Sequence, residues 1–265
     1  MLETSFTMKQ VRPADVRDIY ELRAETIDYF FPDREDEIEF WEKIASDYGD
    51  DILHLMCGTG EISVGLAKKG FDVTAMDLTE AMIYVAEDRI EEEDIDNIEL
   101  LNDDARYFNL DKKFDFVFVS TGDFHHFTSE DDIDAFLAKS YAHLKPEGAL
   151  AIEFFPLPDE DFKRELKEFD PLRAPPEGID VWKTNKTSYD SDTQMLEIKE
   201  ELFVDKQEEG KGKSGEYEIQ LKLFSKEEIK EILEDAGFRD IKFLENHHYT
   251  PYLKDSDTWV AIANR

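Results

Sequence analysis

The chain has little cysteine, few basic residues and no long apolar run. Its 265 residues include one cysteine, Cys57, which excludes an internal disulfide and a metal site built from several cysteines. The 31 basic residues are outnumbered by 65 acidic ones, and the net charge is −34. Because nucleic acids and anionic membranes attract basic surfaces, this composition argues against both as partners. The N-terminus lacks a long apolar segment, so we expect no signal peptide and a cytoplasmic protein.

The acidic excess predicts a solvated acidic surface. Repulsion among so many like charges is tolerated best where salt screens it over short distances. The composition therefore suggests a salt-adapted, halophilic cell.

One stretch organises the rest of the chain. The apolar run 51–56 is typical of a buried parallel strand, and it ends at the turn Gly58-Thr59-Gly60, after which a helical pattern begins. Strand, glycine turn and helix together bring backbone N–H groups up to a ligand. A second predicted strand ends at Asp77, and an acid at this place can accept both hydroxyls of a ribose.

Apolar runs and helical patterns alternate as far as residue 155. Such alternation predicts crossover connections and a parallel sheet, with the ligand at the carboxyl ends of its strands. The predicted strands are 51–56, 72–76, 98–101, 114–119 and 149–154; helices are predicted over 79–93 and 130–144, and a turn over 144–148.

The pattern changes after Pro156. Three segments between 181 and 224 alternate apolar and polar residues, which is typical of half-buried antiparallel strands. Ser225-Lys226-Glu227-Glu228 then has the form of a capping box, and it predicts a helix that stops at Gly237. The segments 239–244 and 258–263 are predicted to close the sheet.

Several motifs, in order, resemble those of class I S-adenosylmethionine (SAM) dependent methyltransferases. Cys57-Gly58-Thr59-Gly60 and Asp77–Met82 resemble the first two motifs, and three later ones follow: Phe114–Val119, His143–Leu150 and Phe224–Phe238. Two positions depart from the family pattern. His54 stands where an Asp or Glu is usual, and Met56 stands where the first glycine is usual.

The resemblance implies a doubly wound α/β fold with a mostly parallel, seven-stranded, Rossmann-like sheet. We expect an N-terminal helical lid over 1–45, a SAM-binding core over 46–155 and an antiparallel β insert over the active site at 156–224. Residues 225–265 would complete the core sheet.

The same resemblance implies SAM as the cofactor and S-adenosylhomocysteine as the product. Gly58 and Gly60 are expected beside the methionine moiety and Asp77 on the ribose. Asp104 is expected at the adenine edge, and its neighbour Asp103 is an alternative. The other positions expected to contact the cofactor are His54, Met56, Cys57, Leu78, Met82, Ala105 and Ser120.

Candidate catalytic residues are His125 and His126, which follow the fourth strand where the acceptor meets the methyl group. Histidine is a suitable general base near neutral pH, although a histidine at this place can also serve only to hold the loop. Tyr29 in the N-terminal segment is a third candidate. His247-His248-Tyr249 is a candidate second wall of the pocket, and no metal site is expected. Tyr189 and Arg173 are candidate contacts for a carboxylate of the substrate.

The predicted function is methyl transfer from SAM to a nitrogen or oxygen of a small molecule. The acidic composition suggests one special case, a glycine/sarcosine-type N-methyltransferase that supplies betaine. A dinucleotide-binding oxidoreductase is disfavoured, because Ser63 stands where the third small residue of its glycine fingerprint belongs. A further alternative is a non-catalytic sensor or binding module that lost turnover through His54 and Met56. The oligomeric state is not predicted.

Overall fold

The strands of the described residues form two separate sheets. The computed structural model describes residues 21–158, 160–206, 213–246 and 258–265. In chain order the strands are β1 (Asp51–Leu55), β2 (Asp72–Asp77), β3 (Ile98–Asn102), β4 (Phe114–Val119), β5 (Leu144–Phe154), β6 (Phe162–Phe169), β7 (Ile179–Asp190), β8 (Met195–Lys206), β9 (Lys213–Lys222), β10 (Arg239–Asn246) and β11 (Thr258–Asn264). The α-helices are α1 (Glu35–Ala45), α2 (Glu61–Lys68), α3 (Glu80–Glu93), α4 (Glu130–His143) and α5 (Lys226–Asp235).

The larger structural unit comprises residues 33–157 and 223–265. Its seven-stranded sheet has the order β10-β11-β5-β4-β1-β2-β3. The pairs within β5-β4-β1-β2-β3 are parallel, whereas β11 runs antiparallel to both of its neighbours. The predicted fold class, a doubly wound and mostly parallel seven-stranded sheet with an antiparallel insert, is confirmed.

Both faces of this sheet are buried under helices. On one face Ile52 and Phe116 share a core with residues of α1, α2 and α3. On the other face Leu53 and Val117 share a core with residues of α4 and α5. Strands buried on both sides read as continuous apolar runs, which is why their positions could be predicted from the sequence.

The predicted turn over 144–148 lies instead inside β5. Phe114 pairs with Leu144, but Phe116 pairs with Ala149, so extra residues of β5 bulge out between these two pairs. Glu147 stands in the bulge with a φ of 69°, in the left-handed region that favours glycine. A β-bulge bends the strand without ending it, and its sequence can look like that of a turn.

α1 packs onto the sheet of the larger unit. Trp41 is fully buried, and its ring centroid lies 4.7 Å from that of Phe118 on β4. Ile38 lies so close to α2 that a Cβ on Gly65 would stand 2.4 Å from its Cδ1. The part of the predicted lid from residue 33 to 45 is therefore built into the core of this unit, and residues 1–20 lie outside the described residues.

The smaller unit comprises the described residues before 33 together with 158–222. Its four strands form an antiparallel sheet in the order β6-β7-β8-β9. Residues 21–26 are helical, and a short 3-10 helix follows at Ile27–Phe30. The backbone carbonyl of Tyr29 accepts hydrogen bonds from the amides of Leu172 and Arg173, which ties this helix to the segment after β6.

No described helix combines the length and the apolar character needed to cross a membrane. Within the same residues, no three His, Cys, Asp or Glu side chains are grouped so that they could hold a metal ion.

Packing of Trp41 can be tested by two substitutions at one position. Trp41→Ala should lower the free energy of unfolding by about 3–5 kcal/mol, because it leaves a large cavity. Trp41→Phe should lower the free energy of unfolding clearly less, because an aromatic ring still fills most of the space. It also removes a buried indole N–H that has no partner among the described residues. Urea unfolding measures both, with the exposed Tyr84→Ala as a control expected within about 0.5 kcal/mol of wild type. Equal losses for Trp41→Ala and Tyr84→Ala would contradict the packing.

Candidate functional site

The loop after β1 is a tight turn held by left-handed residues. Met56, Gly58 and Gly60 have φ values of 59°, 57° and 74°. A Cβ on Gly60 would stand 2.9 Å from the Cβ of Ala86 in α3, whereas a Cβ on Gly58 would meet no atom within 4 Å. Gly60 is thus required for packing, and Gly58 borders open space. Met56 takes up a conformation that costs a non-glycine residue about 1 kcal/mol.

The carboxylate of Asp77 joins this loop to the end of β2. Its Oδ2 accepts a hydrogen bond from the Gly58 backbone N–H at 2.9 Å, and its Oδ1 accepts one from the Thr79 N–H at 2.8 Å. These two hydrogen bonds fix the orientation of the carboxylate, and each carboxylate oxygen can accept more than one hydrogen bond.

An exposed apolar side chain follows Asp77. Leu78 is 46% exposed, while Met82 on the first turns of α3 is buried. The Asn102 side chain donates to the carbonyls of Asp77 and Leu78, both at 2.9 Å, and so holds the backbone of this turn. Leu78 therefore presents an apolar surface at a fixed place.

Asp104 is engaged by a neighbouring arginine. Its two oxygens accept from the Arg106 guanidinium at 3.0 and 2.7 Å, and Arg106 also pairs with Asp132. Burial opposes ionisation of Asp104, but these hydrogen bonds and the charge of Arg106 outweigh it and hold the pKa of Asp104 below its usual value. Ala105 is buried beside it, whereas Asp103 is exposed. Of the two acids left open by the sequence, Asp103 has the more accessible carboxylate.

His54 bridges three elements beneath the loop. Its Nδ1 lies 2.7 Å from the Ser63 hydroxyl in α2, and its Nε2 lies 3.0 Å from the Ser120 hydroxyl at the end of β4. The imidazole also stacks on Phe118 with centroids 4.1 Å apart. Burial, helped by the charge of Arg34, lowers the pKa of His54 to about 3, so the bridge is neutral at physiological pH. Ser120 is 2% exposed, and its hydroxyl takes part in this network.

Arg34 extends the network to the glycine loop. It donates to the Thr121 hydroxyl at 3.2 Å, pairs with Glu37 at 2.8 Å and lies 3.7 Å from Glu61, which follows Gly60. Sequence reasoning missed Arg34, because Thr121 is 87 residues away in the chain. The scarcity of basic residues in so acidic a sequence is the signal that could have drawn notice to it.

Glu153 is a second residue that sequence reasoning missed. This carboxylate is 1% exposed; it accepts from the Thr121 backbone N–H at 2.8 Å and from the Thr258 hydroxyl at 2.7 Å. It supports Thr121, which has a φ of 60°. An acid inside the apolar run of β5 was the available signal, since a buried carboxylate requires donors around it.

The two histidines after β4 differ in their surroundings. His125 is fully buried, and its Nε2 accepts a hydrogen bond from the Phe155 N–H at 2.8 Å. This geometry favours the loop-holding alternative for His125. His126 is partly exposed and lies 3.9 Å from Asp123. Of the pair, His126 has the more accessible imidazole.

Three predicted residues belong to the smaller unit. Tyr29 is half-buried, and burial together with Asp28 and Glu25 raises the pKa of its phenol. The Arg173 guanidinium donates to the carbonyl of Pro32 at 3.0 Å, and Tyr189 is buried with its ring stacked on Phe162. His247-His248-Tyr249 lies outside the described residues.

The larger unit brings most of the predicted site residues to one edge. Because β4, β1 and β2 are adjacent and parallel, their carboxyl ends meet there. Cys57 is buried in the loop, where burial and the Asp77 charge raise its pKa and keep it a thiol. The edge offers open space over Gly58, an oriented carboxylate and an apolar side chain, which fit a ligand with hydroxyl groups and an apolar ring.

Comparison with known proteins agrees with this geometry. Residues 52–148 match the family model described as a methyltransferase domain. The sugar N-methyltransferase KedS8 from Streptoalloteichus sp. ATCC 53650 has the same fold, with a TM-score of 0.70 at 17% identity over 100% of this chain and 98% of that one. Residues 52–148 are therefore similar to a methyltransferase domain, and the fold of the chain is that of KedS8.

Two curated relatives differ in how much of the chain they match. Glycine/sarcosine N-methyltransferase of Aphanothece halophytica is 24% identical over 273 residues, which cover 96% of this chain and 94% of the relative. A protein of Bacillus subtilis (strain 168) is 36% identical over 103 residues, which cover 38% of this chain and 41% of the relative. The chain thus matches less than half of the length of this second protein.

The neutral bridge at His54 predicts a pH dependence of stability. The unfolded chain binds a proton at His54 below about 6.5, whereas the folded chain does not until about 3. Stability from this group is therefore present above pH 6.5 and is lost as the pH falls towards 3. Between pH 8 and 5 the wild type should lose about 2 kcal/mol more than His54→Gln, which cannot titrate.

Urea unfolding at several pH values measures this difference. Burial also lowers the pKa of His143, but this residue is present in both proteins and its effect cancels. Parallel pH profiles of the wild type and His54→Gln would show that His54 is not held neutral in the folded state.

Proposed function

We propose that this protein transfers a methyl group from SAM to a nitrogen or oxygen of a small molecule. The observation that carries the proposal is the Asp77 carboxylate, fixed beside the glycine loop by the Gly58 and Thr79 amides. An acid at the end of the second strand, next to such a loop, is placed to accept the two hydroxyls of a ribose.

The residues at the edge of the sheet suit the parts of this cofactor. Asp77 would hold the ribose, Leu78 would pack against the adenine, and Asp103 could accept from its exocyclic amine. The open side of Gly58 and the Arg34 guanidinium suit the methionine part, whose carboxylate is negatively charged. Bound SAM supplies a methyl group on a sulfonium, which leaves the protein to position the acceptor and to take up its proton.

His126 is the residue we assign to proton removal. It is more exposed than His125, which is committed to the Phe155 amide. Tyr29 remains a second candidate, and its raised pKa keeps the phenol protonated, so it would serve as a hydrogen-bond donor to the acceptor.

A glycine/sarcosine-type N-methyltransferase is the narrower proposal. It is supported by the similarity to the Aphanothece halophytica enzyme along almost the whole chain. An acceptor screen with glycine, sarcosine and an amino sugar, read as S-adenosylhomocysteine formed, separates this proposal from a sugar acceptor. Binding of SAM without turnover of any acceptor would instead favour the non-catalytic binding module.

Cofactor binding is tested by calorimetric titration of the full chain with SAM and, separately, with NAD. We expect SAM to bind with a Kd of micromolar order and NAD not to bind. Asp77→Asn should raise the Kd for SAM about 10- to 100-fold, because hydrogen bonds to a charged acceptor are lost. The titration should be repeated up to ~1 M potassium chloride, since salt screens the repulsion within this acidic chain.

Asp72→Asn is the matched control for this experiment. Asp72 is an exposed acid at the opposite end of the same strand, so its substitution removes the same charge far from the loop. We expect no change in Kd for this variant. Equal affinity of the Asp77→Asn and Asp72→Asn proteins, or binding of NAD in place of SAM, would overturn the proposal.

A further inference from the structure

A row of polar side chains crosses the middle of an apolar face in the smaller unit. Asn185, Glu200 and Tyr217 stand directly opposite one another on β7, β8 and β9, and Lys183 is the next inward residue on β7. They are 3%, 2%, 8% and 1% exposed. We call these four residues the polar belt. Among the side chains of β8 and β9 whose burial the structure describes, the other buried ones are apolar: Leu196, Ile198, Leu202, Val204, Ile219 and Leu221.

The ion pair between Lys183 and Glu200 does not offset the cost of burying the Lys183 charge. Lys183 Nζ lies 3.0 Å from Glu200 Oε2 and 4.6 Å from the ring centroid of Phe30. Burial and the nearby charge of Arg23 nevertheless lower the pKa of Lys183, in spite of Glu200. Arg23 itself lies over the Tyr217 ring at 5.3 Å. A further anion beside Lys183 would favour its charged form.

The polar belt contains a buried N–H donor at Asn185. The side-chain nitrogen of Asn185 is buried and has no hydrogen-bond partner among the described residues. Buried polar groups are nearly always paired, so an exception requires an explanation. Asn185 and Lys183 are two residues apart on one strand and point to the same face. Both side chains thus offer N–H donors on one face of the sheet, and carboxylate oxygens accept such donors.

We propose that the polar belt binds a small carboxylate, with Asn185 and Lys183 donating to its oxygens. The inference does not depend on the proposed function, because all four residues of the polar belt belong to the smaller unit. A doubly charged phosphate suits the polar belt less well, since Glu200 in the same row would repel two negative charges more strongly than the single charge of a carboxylate.

Acetate is the probe for this site, and acetamide is its uncharged counterpart of similar shape. In NMR spectra of the full chain, the side-chain amide signals of Asn185 are identified as those that disappear in the Asn185→Leu variant. Acetate should shift these signals along a saturable curve, and acetamide should not. Absence of a shift with acetate, or equal shifts with both probes, would overturn the proposal.

Substitution of the ion pair tests the charge requirement. Lys183→Met alone would leave Glu200 buried and unpaired, so Lys183→Met with Glu200→Gln is the variant to use. The Kd for acetate should rise about tenfold or more in this double variant. Lys199→Met is the control, because Lys199 pairs with Glu218 at 2.7 Å on the exposed face of the same sheet. Unchanged acetate binding in the double variant would contradict the inference.

Two further titrations, of Asn185→Leu with acetate and of the wild type with SAM, complete the test. If the double variant does not fold, Asn185→Leu, which retains the ion pair, is titrated with acetate by calorimetry, and an unchanged Kd overturns the proposal. The SAM titration is independent of the polar belt. Binding of SAM without acetate refutes this inference alone, whereas acetate binding without SAM refutes the proposed function and leaves the polar belt as a carboxylate site.

Discussion

The site depends on one carboxylate that links two strand ends. Asp77 accepts hydrogen bonds from Gly58 in the loop after β1 and from Thr79 after β2. Because both donors are backbone amides, the carboxylate is oriented by the fold rather than by flexible side chains. The parallel order β4-β1-β2 then brings the turn after β4 to the same edge.

The two departures from the family pattern have different physical meanings. His54 replaces an acid, and the fold accommodates it as a neutral bridge between Ser63 and Ser120 rather than as a charged group. Met56 replaces a glycine and keeps the left-handed backbone, with a φ of 59°. The first places a neutral group where an acid is usual, whereas the second retains the positive φ that a glycine position favours. Neither removes Asp77 or the Gly58 amide.

Sequence patterns predicted the parallel strands, their order of appearance and the glycine loop, because strands buried on both faces and positive-φ turns leave local signals. They predicted a turn at 144–148 where β5 has a bulge, since a bulge and a turn use similar residues. They could not find Arg34 or Glu153, whose partners are distant in the chain. Nor could they show that His125 is buried on a backbone amide while His126 is partly exposed.

In the proposed function, Asp77 orients the ribose of SAM at the carboxyl edge of the sheet. A crystal structure of the complex with S-adenosylhomocysteine tests it most directly. Both ribose hydroxyls should lie within hydrogen-bond distance of the Asp77 carboxylate, which should keep its hydrogen bonds from the Gly58 and Thr79 amides. A ribose bound elsewhere, or an Asp77 side chain turned away from the ligand, would contradict it.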